Sequence, residues 1–379
     1  MGKILTIADL KNQAQRRVPK MFFDYADSGA WTESTYRANE DDFAKIKLRQ
    51  RVLVDMTDRS LATEMVGEKV SMPVALSPTG LTGMQHADGE MLAAKAAEEF
   101  GVPFTLSTMS ICSIEDVASV TSKPFWFQLY VMKDRDFVNN LIDRAKAAGC
   151  SALVLTLDLQ ILGQRHKDLR NGLSAPPKFT PKHIWQMATR PKWCLDMART
   201  KRRSFGNIVG HAKNVSDLSS LSSWTAEQFD PRLSWKDVEW IKERWGGKLI
   251  LKGILDEEDA RASLDTGADA IIVSNHGGRQ LDGSRSAFDQ LAEIVDAVGD
   301  RIDVMMDGGV QRGTHVLKAL ALGAKAVGLG RYYLFPLAAA GRPGVERALE
   351  QMRVETERAM KLMGCRTVAE LQRRHLRFR

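Results

Sequence analysis

Two side chains three positions apart, His276 and Arg279, carry the strongest chemical signal in the chain. An imidazole moves a proton near neutral pH. A guanidinium holds a carboxylate through two parallel hydrogen bonds. Both lie in Ser274-Asn275-His276-Gly277-Gly278-Arg279-Gln280-Leu281-Asp282, directly after the apolar run Ala270–Val273. Gly277 and Gly278 permit a sharp turn between them. A base and an anion clamp on one loop point to proton abstraction from a small acid.

A loop of this kind needs a rigid carrier. Ala270–Val273 is a short β-branched run, the pattern of a buried strand, and seven more runs share its grammar. We read strands over Val74–Ser77, Pro103–Ser107, Phe125–Tyr130, Ala152–Thr156, Leu249–Lys252, Ala270–Ser274, Asp303–Asp307 and Ala326–Gly330. Ala147-Ala148-Gly149-Cys150, Thr266-Gly267-Ala268-Asp269 and Leu322-Gly323-Ala324-Lys325 rhyme at the helix-to-strand junctions, where glycine closes a helix. Strands alternating with helices imply right-handed βαβ units and a parallel sheet. Eight of them predict an α/β fold, a closed (β/α)8 TIM barrel, with a doubly wound sheet as the alternative. The expected organisation is one domain, with a helical cap over residues 1–70, the barrel over 73–335 and C-terminal helices over 336–379. Roughly 90 residues separate the fourth strand from the fifth. A connection that long is usually functional or structureless.

Barrel active sites are built at the C-terminal ends of the strands. Read there in order, the chain offers Ser77 to Gly80, Ser107 and Thr108, Gln128 and Tyr130, Thr156 and Asp158 with Arg165 beyond them, Lys252, His276 and Arg279, Asp307-Gly308-Gly309, and Gly328 to Arg331. The last two groups set backbone N–H groups beside a cation, where barrels often bind phosphate. One side of the rim thus suits a phosphorylated cofactor and the other acid–base chemistry. The amide and hydroxyl side chains between them suit the edges of a heterocycle, and Lys252 suits negative charge on it. Each residue alone has an ordinary explanation: Lys252 as a salt-bridge partner, Asp158 as a helix N-cap, Tyr130 as core, Gly308-Gly309 as a turn. Their joint placement on one rim is what those explanations leave over.

The 379 residues are 44% hydrophobic and 27% charged, a composition of globular proteins with a large core. Cys112, Cys150, Cys194 and Cys365 are far apart and form no C-x-x-C pair, which argues against a disulfide framework or a zinc site and fits a reducing compartment. No metal ligand set is expected. The N-terminus lacks the apolar core of a signal peptide, and no stretch reaches the ~20 apolar residues of a membrane span. Met1-Gly2-Lys3-Ile4-Leu5-Thr6 fits a myristoylation pattern short enough to arise by chance. The net charge of +7 is uneven: residues 178–213 hold nine Lys/Arg against one acid, Asp196, so the rest of the chain is close to neutral.

On these residues the chain resembles the family of FMN-dependent L-α-hydroxy-acid dehydrogenases and oxidases. The nonapeptide at 274–282 is that family's signature, supported by Phe23-Asp24-Tyr25-Ala26-Asp27-Ser28-Gly29-Ala30, Phe127 to Val131, Leu251-Lys252-Gly253 and Asp307-Gly308-Gly309. Residues 234–241 and 252–261 resemble the bacterial, membrane-associated branch that acts on L-lactate. The resemblance covers essentially the whole chain and implies FMN as cofactor. It implies that His276 is the base and that Asp158 stabilises its imidazolium. Arg165 and Arg279 would bind the substrate carboxylate, and Tyr25 and Tyr130 would hydrogen-bond the substrate. Lys252 would stabilise the reduced flavin, Ser107, Gln128 and Thr156 would contact its ring, and Asp307, Gly308, Gly309, Gly330 and Arg331 would complete the cofactor site. A homo-tetramer on the cytoplasmic side of the plasma membrane is implied by the same likeness. Three departures stand out: Gln311 where many members carry arginine, Met109 where some oxidases carry tryptophan, and Gly80 where others carry alanine.

Residues 174–224 fall in the family's variable loop after the fourth strand, the piece that associates with membrane in quinone-linked members. Trp185, Trp193 and Phe205 are interleaved with its cations, a composition able to lie on an anionic bilayer. A solvated lid is the plainer reading, and a nucleic-acid patch is disfavoured because the charge is confined to one loop. The expected activity is therefore FMN-dependent oxidation of L-lactate, or a close 2-hydroxy acid, to the 2-oxo acid, with electrons passed to a quinone or another respiratory acceptor. The alternative is a soluble oxidase that passes them to oxygen and makes hydrogen peroxide.

Overall fold

A computed structural model describes residues 4–172, 180–212 and 228–378. Eight parallel strands form its centre: β1 (Val74–Leu76), β2 (Thr105–Ser107), β3 (Trp126–Leu129), β4 (Ala152–Thr156), β5 (Lys248–Ile254), β6 (Ala270–Val273), β7 (Asp303–Asp307) and β8 (Ala326–Leu329). Each pairs with its neighbours in sequence order, and β8 returns to β1. A bridge between Leu76 and Phe104 closes the ring between β1 and β2. The expected barrel is therefore what the chain adopts. Its strands are buried on both faces, β4 along all five residues, which is why they read as unbroken apolar runs.

Helices cover the outside. Those at Arg135–Ala147 and Gly313–Leu322 end at glycines with positive φ, Gly149 at +72° and Gly323 at +114°, the geometry expected of these junctions. The N-terminal segment is not helical throughout. Three helices, Ile7–Arg17, Lys20–Ala26 and Ser34–Asp41, reach the functional end of the barrel, but Thr63–Met65 and Glu68–Val70 form a β-hairpin. That hairpin shuts the opposite end. Met65 and Val66 join the apolar filling inside the barrel, and Trp126 at the foot of β3 donates its indole N–H to Glu68. The barrel thus has one open mouth, ringed by strand C-termini.

Among its described residues, the insertion after β4 contains two short helices, Pro181–Ala188 and Pro191–Arg199. Each begins with proline, favoured at a first helical position because that N–H has no partner there. Pro191 also forces the first helix to stop. Lys178 and Lys213, counted in the basic segment, lie outside the described residues. No described helix is long and apolar enough to cross a membrane.

Candidate active site

His276 stands three residues beyond β6 with φ +57°, a left-handed backbone that a residue with a Cβ rarely adopts. The turn around it is over-determined. The Asn275 side-chain oxygen accepts from the Gly278 amide at 2.9 Å, and its amide pairs with that of Asn39 at 2.8 and 2.9 Å. His276 Nδ1 lies 2.8 Å from Asp158 Oδ1. A carboxylate partner assigns the hydrogen to Nδ1 and leaves Nε2 as the free acceptor. Burial would raise the Asp158 carboxyl, but the charge and hydrogen bond of His276, with Lys252 nearby, outweigh it and hold the group below the ordinary carboxylate range. Gly253 (φ +105°) backs this pair, since a Cβ there would lie 2.7 Å from the Asp158 side chain.

Two guanidinium groups face the base. Arg279 Nη1 donates to the Tyr25 carbonyl (2.7 Å), the Ser28 carbonyl (3.1 Å) and the Ser28 hydroxyl (3.0 Å), so its other nitrogens remain for a ligand. Arg165 Nε donates to Asp168 at 2.6 Å. The Tyr25 ring lies between the two cations, 4.8 Å from Arg279 and 5.8 Å from Arg165. Burial, and then the charge of Arg165, push the Arg279 guanidinium down to about 10. A cation held down in this way is relieved by an anion. Tyr130 is buried beside them, and burial pushes its phenol up, so it is a neutral donor. Its ring meets Phe229 edge-on at 5.9 Å.

The remaining strand ends form a connected polar line. Gln128 accepts from Ser107 and donates to Thr156, both at 3.0 Å. Lys252, almost wholly buried, donates to Ser274 at 2.7 Å and lies 3.1 Å from Asp307. This is a donor set for the heteroatom edge of a planar ring, with one cation at its end. The other pole is built from backbone. Gly330 precedes the helix Arg331–Ala340, and a side chain added there would meet nothing within 4 Å. Gly309 (φ +73°) admits no side chain, because its Cβ would lie 1.8 Å from the Asn39 carbonyl. A helix start beside a glycine turn binds a phosphate through backbone N–H groups. Arg331 reaches this corner but is heavily engaged: its three nitrogens donate to the carbonyls of Ala26 (2.8 Å), Gly277 (3.0 Å) and Ser28 (2.7 Å). Arg312 turns away to Glu355 at 2.9 Å, and Gln311 donates to Glu40 at 3.1 Å. What is left for the phosphate is mainly the backbone and the Arg331 charge.

A cavity of about 630 Å3 opens at this mouth. Tyr25, Ser107, Tyr130, Arg165, Lys252, His276, Arg279, Asp307, Gly308, Gly309, Gly330 and Arg331 all line it, while Gln128, Thr156 and Asp158 sit one layer behind. Sequence reasoning missed Tyr36, Asn39 and Phe229, which also line it. Tyr36 and Asn39 carried one possible signal, a tyrosine and an asparagine spaced along a short polar helix, and Phe229 carried none. The insertion also behaves differently from its composition. Of Trp185, Trp193 and Phe205 only Trp185 is exposed, at 70%, together with Ile184 at 60% and Leu195 at 50%. Trp193 stacks on Phe22 at 5.5 Å, Phe205 lines the cavity, and Arg202 pairs with Asp88 and Asp116.

Known proteins share this architecture along its whole length. The family described as FMN-dependent dehydrogenase matches residues 14–378. An L-lactate dehydrogenase of Ectopseudomonas mendocina (strain ymp) is 47% identical over 364 residues, 96% of each chain. An L-lactate dehydrogenase of Vibrio parahaemolyticus serotype O3:K6 is 46% identical over 366 residues, again 96% of each. Among solved structures, the monotopic membrane protein (S)-mandelate dehydrogenase superposes with a TM-score of 0.95 at 36% identity, covering all of both chains. A mandelate oxidase with (S)-4-hydroxymandelic acid gives 0.85 at 35%, covering 99% of each.

Proposed function

The chain belongs to the FMN-dependent dehydrogenase family, and from that premise we propose that it oxidises L-lactate to pyruvate and passes the electrons to a quinone in the membrane. The observation that carries the first part is the dyad of His276 and Asp158 set against two half-buried arginines in one cavity. The residues present fit FMN: a hydrogen-bonding line ending in Lys252 suits the ring edge, and a glycine turn beside a helix start suits the phosphate. Ser107, Gln128, Thr156, Lys252, Asp307, Gly308, Gly309, Gly330 and Arg331 would hold it, and when bound it supplies the two-electron redox chemistry. Arg165 and Arg279 fix the substrate carboxylate, which orients C2 toward His276. Tyr25 and Tyr130 donate to the substrate oxygens. His276 Nε2 accepts the proton, and Asp158 holds the resulting imidazolium in place.

The exposed Ile184, Trp185 and Leu195 favour a membrane acceptor over oxygen. Apolar side chains on helices flanked by Lys182, Lys192, Arg199 and Lys201 suit an anionic bilayer surface. The same proposal places the protein at the cytoplasmic face of the plasma membrane as a homo-tetramer. His276→Ala tests the chemistry. The variant should bind FMN normally while L-lactate no longer bleaches the flavin, a loss of at least about a hundredfold. Unchanged bleaching would remove His276 as the base. Stoichiometric hydrogen peroxide from the unaltered protein would favour the oxidase instead.

A further inference from the structure

The cavity has an apolar side that a small hydroxy acid does not need. Phe22, Leu81, Met84, Ile111 and Phe205 line it. Its cover is the insertion. Trp193 stacks on Phe22, and its indole N–H donates to the Met84 carbonyl at 2.9 Å. The Gly206 amide donates to the Ser110 carbonyl at 3.2 Å, which brings Phe205 alongside the Ile111 segment. The second insertion helix, which carries Trp193, also exposes Leu195, and the first, packed against it, exposes Ile184 and Trp185. The insertion thus presents apolar side chains on its outer surface and, through Trp193 and Phe205, toward the cavity that holds His276 and Lys252. Arg203 lines the same side, exposed, with Nε and Nη2 donating to the carbonyls of Thr200 and Ala198 and Nη1 left over.

Each turnover leaves two electrons and two protons for an acceptor to collect. An acceptor dissolved in lipid meets the insertion before it meets the barrel. We propose that the apolar lobe under the insertion helices is the docking site for the ring of a lipid-borne quinone. There the quinone takes two electrons from the reduced cofactor and two protons, both its C=O groups become C–OH, and it leaves as the quinol. Arg203 donates to one quinone oxygen at the rim. This inference rests on the dehydrogenase reading above and adds where its second substrate binds.

The test uses FMN-loaded full-length protein, a benzoquinone bearing a decyl chain, and a redox-inert analogue of it. Calorimetry should show the analogue binding the unaltered protein, and Met84→Trp should weaken that binding at least about tenfold by filling the lobe, while Met84→Ala should not. In Met84→Trp, bleaching of the flavin by L-lactate and turnover with a hydrophilic dye should stay within about twofold, and quinone turnover should fall at least about tenfold. In the unaltered protein the analogue should compete with the quinone and not with L-lactate. Unchanged analogue binding in Met84→Trp, or competition of the analogue with L-lactate, overturns the assignment. Failure of L-lactate to bleach the unaltered protein would instead overturn the activity itself, so the two failures are distinct.

Discussion

The two arginines proposed to clamp the substrate show how single residues divide their labour. Arg279 spends one nitrogen on three acceptors of the Tyr25–Ser28 turn, which fixes its plane, and Arg165 is fixed by Asp168. Arg165 also lowers the Arg279 guanidinium through its charge, a strain that a bound carboxylate would relieve. Removing one cation would forfeit its bond to the carboxylate and leave the other to hold it. Arg165→Met should raise KM for L-lactate by about ten- to a hundredfold, the equivalent of one charge-assisted hydrogen bond of roughly 1.5–3 kcal/mol. It should leave kcat closer to unchanged, because His276 and Asp158 are untouched. Steady-state kinetics with a hydrophilic dye would show it. A fall in kcat with constant KM would mean that Arg165 acts on the reacting atoms.

Among elements, the loop after β6 depends on a contact far away in sequence. Asp282 accepts from the amides of Thr32 and Thr35, both at 2.9 Å, from the Ser34 hydroxyl at 2.7 Å and from the Thr32 hydroxyl. Burial would raise its carboxyl, but these hydrogen bonds, led by that of Thr32, hold it well below the ordinary range. A carboxyl lowered on folding stabilises the fold above its unfolded pKa of ~4, and that stability is lost as pH falls below it. Asp282→Asn should therefore lower Tm by a few degrees at pH 7, and the gap from the unaltered protein should narrow below about pH 4. A gap that stays constant with pH would show that the charge is immaterial. This contact also marks where sequence reading stopped. The eight strands were legible because buried parallel strands are continuous apolar runs with glycine at the preceding helix ends. His276, Arg279, Asp158 and Lys252 were legible because they follow those runs directly. Tyr36, Asn39 and Phe229 reach the cavity by packing against Arg331, Asn275 and Tyr130, far away in sequence, and no local period records that. The hairpin at Thr63–Val70 was hidden for another reason: each arm has three residues, too few for alternation to show.

At the scale of the molecule, the insertion serves two sides at once. Its inner residues, Trp193 and Phe205, complete the cavity, so deleting it would open the site as well as strip the surface. Its outer residues can be changed alone. Replacing Ile184, Trp185 and Leu195 together by glutamate should reduce co-sedimentation with anionic lipid vesicles at least about tenfold, since apolar burial and attraction to the headgroups are both lost. Dye-coupled oxidation of L-lactate should change by less than about twofold, because none of the three lines the cavity. Equal vesicle binding by the triple variant would relocate the membrane contact to another surface. The turn after the second helix, finally, sets a timetable for the molecule's assembly. Arg331 closes onto the Ala26 carbonyl across 305 residues of chain, Arg279 onto that of Tyr25 across 254, and Lys167 onto that of Asp27 across 140. On a ribosome this turn is made before all of its partners, and the Ala26 carbonyl waits for Arg331, 305 residues later. Catalytic competence is thus acquired late in biogenesis, and a nascent chain cut short before Arg331 would lack the last of these ties.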